Sequence, residues 1–213
     1  MKSTFRLDRA NRSLVDGSGR CFDAATRKWH ASDARAPSGI EIDAFAAATW
    51  LQRESAHPLR IPIGVIGPRE ATATQLALAE ETGRGLAQMG LTVMCGGRHG
   101  VMEAVCRGAA AAGGITLGLL PDADPALANP HVSIIVATGI GEARNALIAR
   151  AAFCLVAIGD SFGTLSEVAL GRQFGKAVIG LAGAAQVAGV IQVDDAASAL
   201  AQVAMIVLGC APP

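Results

Sequence analysis

The sequence predicts an α/β protein with a doubly wound parallel sheet flanked by helices, and three observations support this fold class. From residue 61 onward, short apolar runs alternate with longer segments of helical periodicity, which is the order of βαβ units. None of the apolar runs alternates cleanly between polar and apolar residues, as expected of strands covered on both faces. In the stretch 153–181, an apolar run, a glycine-punctuated turn, a helical pattern and a second apolar run follow one another.

The individual elements follow from the apolar runs and from capping and breaking residues. Thr72 is the predicted N-cap of a helix that extends to about Met89. A second helix starts near Val101 and ends at Gly113-Gly114, and a final helix, with Asp194 as its predicted cap, covers about 195–208. Two more helices are predicted at 142–152 and 164–173, and the predicted strands are 61–67, 91–95, 115–121, 132–138, 153–158 and 177–181, followed by a short apolar piece at 187–193.

Residues 1–58 form a predicted N-terminal appendage of a hairpin and a short helix, and residues 59–213 form the predicted ligand-binding domain. Within the appendage, Asp16-Gly17-Ser18-Gly19 interrupts an alternating segment, which is a hairpin signal. From Gly39 onward the apolar spacing suits a short amphipathic helix. The segment 54–61, with its proline, is interpreted as a linker.

Composition and charge make several function classes poor candidates. The chain has 213 residues, of which 51% are hydrophobic and 17% are charged, so it can bury a substantial α/β core. Its formal net charge is zero, which gives no electrostatic reason to expect nucleic acid as a partner. The N-terminus lacks the apolar core of a signal peptide, and no uncharged run reaches membrane-spanning length. We therefore expect a cytoplasmic protein without membrane contacts.

The cysteines show no metal or redox motif. None of the five forms a CxxC pair, and Cys95 and Cys154 lie inside apolar, strand-like runs. Buried, reduced thiols are the expected state. No metal ion held by protein ligands is predicted.

Four strand-to-helix turns are rich in glycine, and all of them are expected at the carboxyl edge of the sheet. Glycines let the backbone approach a ligand, and helix N-termini offer free N–H groups to an anion. The sequence therefore predicts a cleft for an anionic ligand, with phosphate as the expected anion, between these turns. The turns are Gly67-Pro68-Arg69, Gly96–Gly100, Gly139–Asn145 and Gly159–Glu167.

Known phosphate and hydrolase motifs fit poorly. The chain lacks GxxxxGK[ST] and lacks GxGxxG after its first strand, so neither a P-loop nor a standard NAD site is predicted. The segment 159–163 matches the G-x-S-x-G elbow of α/β-hydrolases. In those enzymes the histidine follows the serine and the acid, whereas the four histidines of this chain all precede Ser161.

Simpler structural roles stay open for the same residues. Glu167 and Thr164 have the spacing of a T-x-x-E capping box at the start of a helix. Arg144 could make a surface salt bridge, Ser161 could be a turn hydroxyl, and His99 could be an ordinary loop residue.

Three segments stand out within residues 61–181, namely GGRHGVMEAV (96–105), the pair Arg144-Asn145, and GTLSE (163–167). Together, and in this order, they resemble the motifs of the Lonely Guy-like superfamily. The Arg-Asn pair and the Ile-Gly start of the last motif look most similar to the molybdenum-cofactor carrier branch. The resemblance implies a Rossmann-like fold and a homodimer or homotetramer. The family's lysine decarboxylase label is rejected, because none of the three lysines lies in a suitable motif.

The resemblance also implies roles for individual residues. Arg144 matches the arginine that binds and orients the ligand, and Glu167 matches the glutamate that acts at the scissile ribosyl carbon in the family's hydrolases. Gly163 and Thr164 match the phosphate-contacting pair. The chain departs from the family where Asp160-Ser161 replaces two glycines, which places a carboxylate and extra bulk where phosphate should approach.

Two functions are therefore expected, and binding is preferred. The first is a carrier or sensor that binds a nucleotide or another phosphorylated small molecule, such as a molybdopterin-type cofactor. The alternative is a phosphoribohydrolase that cleaves the N-glycosidic bond of a nucleoside 5'-monophosphate, with Glu167 and Arg144 as its catalytic residues. The predicted ligand- and phosphate-binding residues are Gly67, Arg69, Gly96, Gly97, Gly100, Asn145, Gly159, Asp160, Ser161, Gly163 and Thr164.

Overall fold

The computed structural model describes residues 4–31 and 39–210. These residues form two compact units. One comprises the chain up to Leu59 together with the segment that begins at Ala201, and the other comprises Arg60–Leu200. The sequence pattern instead placed the C-terminal segment in the predicted ligand-binding domain of residues 59–213.

The first unit contains an antiparallel sheet with the strand order β4-β3-β2-β1-β5, followed by a helix. The predicted hairpin is confirmed, since β2 pairs with β3 and Asp16 Oδ1 accepts the N–H groups of Ser18 at 3.0 Å and Arg20 at 2.9 Å. The elements are β1 (Thr4–Asp8), β2 (Ser13–Asp16), β3 (Arg20–Asp23), β4 (Lys28–Ala31), β5 (Ile40–Asp43) and α1 (Ala44–Arg53).

The helix predicted from Gly39 starts later than expected, because its first residues form a strand. Ile40–Asp43 pair with β1 in the antiparallel sheet. Asp43 then caps α1, and its Oδ1 accepts the Ala46 N–H at 2.8 Å. The Asp43 cap therefore sets the point at which the strand ends and the helix begins. The spacing of the apolar residues did not reveal this boundary.

Trp29 anchors the core of the first unit. Its ring centroid lies 5.7 Å from that of Phe5 and 4.9 Å from that of Phe22. Its Nε1 donates to the Leu208 carbonyl at 2.7 Å, so the indole N–H is satisfied by the C-terminal segment.

The second unit is built on seven strands in the order β12-β11-β10-β6-β7-β8-β9, all parallel to their neighbours. The predicted doubly wound α/β class is confirmed. Every residue of β6, β7, β10 and β11 is buried, as expected of strands covered on both faces. The strands are β6 (Ile63–Ile66), β7 (Val93–Cys95), β8 (Thr116–Leu120), β9 (Ile134–Ala137), β10 (Leu155–Ile158), β11 (Val178–Leu181) and β12 (Val190–Gln192).

Helices connect these strands, and their caps both confirm and correct the sequence predictions. Thr72 is the N-cap of the first of them, as predicted, and it forms a reciprocal capping box with Gln75. The last helix is capped by Asp195, whose Oδ1 accepts the Ser198 N–H at 2.7 Å, so the prediction of Asp194 was wrong by one residue. The helices are α2 (Ala73–Met89), α3 (Val101–Ala111), α4 (Asn145–Ala151), α5 (Phe162–Gln173) and α6 (Ala196–Val207), with 3-10 turns at Pro125–Leu127 and Gly141–Arg144.

The strand order creates a crevice beside the central strand β6. The chain first builds outward from β6 through β7, β8 and β9, and then returns to the other side with β10. The connections that leave β6 and β10 therefore diverge, which is where open α/β sheets bind ligands.

The edge strand β9 departs from the expectation of fully covered strands, because Ile134, Ile135 and Val136 are 42–50% exposed. The cysteine expectation is confirmed for Cys95 and Cys154, which are buried and free. None of the helices within residues 4–31 and 39–210 combines the length and apolar character needed to span a bilayer.

Helices α2 and α3 pack through glycines that allow their backbones to approach closely. A Cβ on Gly83 would collide with the Val105 carbonyl oxygen, and a Cβ on Gly108 would collide with the Glu80 carbonyl oxygen. Close packing of this kind leaves no room for even one methyl group.

We expect Gly83→Ala to destabilise the protein by about 2 kcal/mol, because the overpacking cost exceeds the roughly 1 kcal/mol that alanine gains in a helix. Urea unfolding measures this change. Gln88→Ala, at an exposed position of the same helix, is the control and should change stability by less than about 0.5 kcal/mol. A Gly83→Ala protein more stable than wild type would contradict the close approach.

Candidate ligand-binding site

A cleft of about 700 Å³ lies at the carboxyl ends of β6, β7 and β10, where the strand order predicts a crevice. Its size falls in the range of small-molecule sites. Its lining residues come from four strand-to-helix turns and the helices that follow them. They are Ile66, Gly67, Pro68, Arg69, Glu70, Gly96, Met102, Glu142, Arg144, Asn145, Asp160, Ser161, Phe162, Gly163, Thr164, Ser166 and Glu167.

Arg144 lies at the inner part of this cleft, at the end of the 3-10 turn that precedes α4. Only 4% of the residue is exposed. A Cβ on Gly96 would collide with its guanidinium group, so a larger residue at the end of β7 would displace the Arg144 side chain. The sequence alternative that Arg144 makes a surface salt bridge is therefore wrong.

The hydrogen bonding of Arg144 is incomplete. Its Nη1 lies 3.4 Å from Glu167 Oε1, which is long for a charge-assisted hydrogen bond. Its Nε is buried and has no hydrogen-bond partner among the described residues. A buried donor without a partner is costly, so this nitrogen points to a missing acceptor.

Glu167 is the carboxyl group beside Arg144, and it is only 6% exposed. Burial raises its pKa to about 8, against a lowering by Arg144 and a further raising by Glu142. At neutral pH the carboxyl is therefore mostly protonated. It follows that Glu167 leaves much of the Arg144 charge uncompensated.

The start of α5 differs from the sequence interpretation. Ser161 is the N-cap, and its Oγ accepts the Thr164 N–H at 3.1 Å and lies 2.9 Å from Thr164 Oγ1. The alternative of a capping box, with Thr164 as N-cap and Glu167 as its partner, is therefore wrong, because the helix starts earlier, at Phe162. Glu167 is free of a capping role and belongs to the cleft.

The same contacts bear on the G-x-S-x-G pattern of serine hydrolases in this segment. The Ser161 hydroxyl contacts the Thr164 N–H and hydroxyl, so Ser161 has the structural role of a turn hydroxyl. His99 is 70% exposed in its side chain and pairs with Glu103 at 3.2 Å, away from the cleft lining.

A short hydrogen-bond chain fixes α4 against α5. Asn145 Nδ2 donates to Ser166 Oγ at 3.0 Å, and Ser166 Oγ donates to the Gly163 carbonyl at 2.7 Å. Asn145 is thereby a positioning residue for the first turn of α5.

The mouth of the cleft is acidic. Arg69 pairs with Glu142 at 3.5 Å, and Glu70 and Asp160 also line the opening. Asp160 Oδ1 accepts the Ser161 N–H at 2.8 Å, which holds the carboxylate at the turn. The positive charge of the cleft is therefore concentrated inside, at Arg144.

The structure brings most of the predicted site residues together. Three predicted glycines do not line the cleft, namely Gly97, Gly100 and Gly159, each with φ +70°. A Cβ on Gly100 would collide with the Pro68 and Arg69 carbonyl oxygens, so this glycine serves the loop backbone. The predicted residues that do line it are Gly67, Arg69, Gly96, Arg144, Asn145, Asp160, Ser161, Gly163, Thr164 and Glu167.

Sequence reasoning missed several lining residues that lie inside or beside the motifs. Glu142 and Ser166 are within two segments that were singled out, but neither residue type is diagnostic by itself. Phe162 lies in the middle of the G-x-S-x-G segment and was treated as a spacer. The other missed residues are Ile66, Pro68, Glu70 and Met102.

The raised pKa of Glu167 predicts a specific pH dependence of stability. Between its usual value of 4.5 and about 8, the folded state binds more protons than the unfolded state. The free energy of unfolding contributed by this group therefore falls as pH rises, by up to about 1.4 kcal/mol per pH unit. Glu167→Gln imitates the protonated form, so it should gain stability relative to wild type from pH 5 to 8.

Urea unfolding of both proteins at pH 5, 6, 7 and 8 measures this difference. If the stability difference between wild type and Glu167→Gln instead stays nearly constant from pH 5 to 8, the pKa of Glu167 is not raised and the pair with Arg144 is an ordinary ion pair.

Comparison with solved structures finds several similar proteins. The molybdenum cofactor binding protein from Rippkaea orientalis is 33% identical, with a TM-score of 0.67, and the match covers 70% of this chain and 99% of that one. The Moco carrier protein from Chlamydomonas reinhardtii is 36% identical, with a TM-score of 0.65, and the match again covers 70% and 99%. DNA processing protein A from Streptococcus pneumoniae, at 17% identity and a TM-score of 0.54 over 66% of this chain and 61% of that one, shares the fold alone.

Comparison of sequences agrees with this result. A protein of Archaeoglobus fulgidus is 37% identical over 119 residues, which is 56% of this chain and 78% of the relative. The family model described as the SLOG cluster4 family matches residues 60–207. The Lonely Guy-like resemblance and its carrier branch are thereby confirmed, and the chain belongs to the SLOG cluster4 family.

Proposed function

We propose that the protein binds a phosphorylated small molecule in the cleft at Arg144 and acts as its carrier or sensor. The observation that carries this proposal is the buried Arg144 Nε, which has no hydrogen-bond partner among the described residues. A phosphate oxygen supplies both the missing acceptor and the missing negative charge.

The electrostatics of the inner cleft support an anionic ligand. A buried cation is unfavourable unless it is paired and hydrogen-bonded. Glu167, the carboxyl beside it, is mostly protonated at neutral pH because burial raises its pKa to about 8. The ligand is therefore the better counter-ion for Arg144.

The first turn of α5 offers a second set of donors. The first N–H groups of a helix have no partner within the helix, and the helix dipole favours an anion there. Ser161 occupies the Thr164 N–H, while Phe162 and Gly163 also line the cleft. Their backbone N–H groups are the expected contacts for the phosphate. The backbone of Gly96, which carries no side chain, is expected to lie close to the phosphate as well.

The ligand class follows from the relatives and from the acidic mouth. The solved relatives include a molybdenum cofactor binding protein and a Moco carrier protein. The cleft of about 700 Å³ suits a nucleoside monophosphate or a phosphorylated pterin cofactor, whose metal would be cargo. Glu70, Glu142 and Asp160 at the mouth disfavour ligands that carry several phosphates, because like charges repel.

We expect AMP, GMP or inorganic phosphate to stabilise the wild-type protein and to stabilise Arg144→Gln much less. A one-site ligand at a hundred times its Kd adds about 2.7 kcal/mol of stability, which a thermal-shift titration detects. Arg150→Gln, which changes an exposed arginine on α4 outside the cleft lining, is the matched control. Equal ligand shifts in wild type and Arg144→Gln would remove Arg144 from the site.

The same titration tests whether the carboxylate of Asp160 weakens the binding of phosphate ligands. Asp160→Asn removes the carboxylate charge and keeps an oxygen to accept the Ser161 N–H. We expect phosphate ligands to bind this variant a few-fold more tightly, as expected from an exposed charge at short range.

The alternative function is hydrolysis of the N-glycosidic bond of a nucleoside 5'-monophosphate. The position of Glu167 in the cleft beside Arg144 favours it, because a carboxylate stabilises an oxocarbenium-like transition state and activates water. The raised pKa of Glu167 argues against it at neutral pH, since the protonated carboxyl provides no negative charge. Binding without turnover is therefore preferred.

We expect wild-type protein to release no free base from AMP, GMP or other nucleoside monophosphates at pH 7, as measured by chromatography. If the protein is a hydrolase, turnover should instead rise through about pH 8 as Glu167 ionises. Glu167→Gln would then lower the rate by about a hundredfold or more while the fold survives. Robust wild-type release of base that Glu167→Gln abolishes would overturn the preference for binding.

Self-association into a homodimer or homotetramer stays a prediction. Several apolar residues of α2 are buried within the folded chain and are not free for such an interface, among them Leu86, Ala87 and Met89. Exposed apolar side chains occur instead on β9 and at Leu147 of α4, which is 44% exposed.

A further inference from the structure

Phe162 is the most exposed large apolar side chain among the residues that the structure describes. It is 95% exposed, whereas the next most exposed, Ile40, reaches 55%. It is also the first residue of α5 and lines the cleft. A bare aromatic ring at the rim of a ligand cleft leaves a large apolar area in water that a bound molecule can cover.

The fold gives no local reason for an aromatic ring at this position. The N-terminus of α5 is already capped by Ser161. A hydrophobic staple would pair the residue before the cap with the fourth residue of the helix, and these positions hold Asp160 and Leu165. The first helical position itself favours residues such as proline rather than phenylalanine.

We propose that Phe162 is the stacking platform for a planar heteroaromatic ring of the ligand, an inference that rests on the proposed binding of a phosphorylated molecule in this cleft. The phosphate binds at Arg144 and the first turn of α5, and the ring of the same molecule lies against Phe162. The ligand class is thereby narrowed to phosphorylated heteroaromatics such as purine nucleotides and pterins, and sugar phosphates are disfavoured.

The chemistry of the cleft supports a ring at this place. The acidic groups at the mouth, Glu142 and Asp160, repel further anionic groups but accept hydrogen bonds from ring N–H and amino groups. A flat ring also buries apolar area on Phe162 without adding negative charge. Stacking of a base on an aromatic side chain is sequence-tolerant, because every base presents a π-face.

Isothermal titration of GMP and ribose 5-phosphate into wild type and three variants tests the inference. We expect Phe162→Leu, which keeps apolar bulk without the ring, to weaken GMP binding about five- to a hundredfold. Phe162→Trp should bind GMP at least as tightly as wild type. Leu165→Ala, at a 37%-exposed position of the same helix outside the cleft lining, is the matched control and should bind GMP like wild type.

Ribose 5-phosphate separates the ring from the phosphate. Its affinity, measured directly or by competition with GMP, should be the same for wild type and Phe162→Leu within about twofold. In Phe162→Trp the fluorescence of the new indole also reports ligand binding directly. The chain's own two tryptophans, Trp29 and Trp50, both lie outside the cleft lining. GMP should quench its fluorescence and ribose 5-phosphate should not.

The outcomes distinguish the two levels of the proposal. Binding of GMP that is unaffected by Phe162→Leu, or an equal loss for GMP and ribose 5-phosphate, would overturn the stacking role and leave phosphate binding intact. If neither GMP nor ribose 5-phosphate binds wild type, and inorganic phosphate also fails to bind, the proposed function and the stacking role fall together.

Discussion

The buried guanidinium of Arg144 is the constraint on which the cleft depends. It lies close to the backbone of Gly96, where a Cβ would collide with it, and 3.4 Å from a carboxyl group, Glu167. Burial keeps that carboxyl largely protonated at neutral pH, so the arginine is neither solvated nor fully paired. We propose that an external anion completes this site, because a buried cation is unfavourable unless it is paired.

The fold supplies this arrangement through its strand order. Because β6 and β10 are adjacent while their connections diverge, the turns that follow them border one crevice. Glycines at the ends of β6 and β7 let the backbone and the guanidinium approach closely. Ser161 fixes the start of α5, and Asn145 ties α4 to it through Ser166. The site is therefore built on the ends of regular elements rather than on a long loop.

Much of this architecture could be predicted from the sequence, because apolar runs and glycine turns are local signals. The α/β class, the cap at Thr72 and the convergence of four turns followed from them. The start of α5 did not, since Ser161 and Thr164 are both good caps and only the contact with the Thr164 N–H decides between them. The protonation of Glu167 and the exposure of Phe162 depend on tertiary packing, which local patterns do not encode. The strands β1, β4 and β5 were missed because their pairing is decided by partners elsewhere in the sheet.

A crystal structure of the protein with bound AMP tests the central claim most directly. We expect a phosphate oxygen within about 3.2 Å of Arg144 Nε, with further contacts from the first N–H groups of α5. A complex in which the phosphate lies elsewhere, while Arg144 and Glu167 form a close, bidentate ion pair, would contradict the claim that the ligand supplies the acceptor and the counter-charge of Arg144.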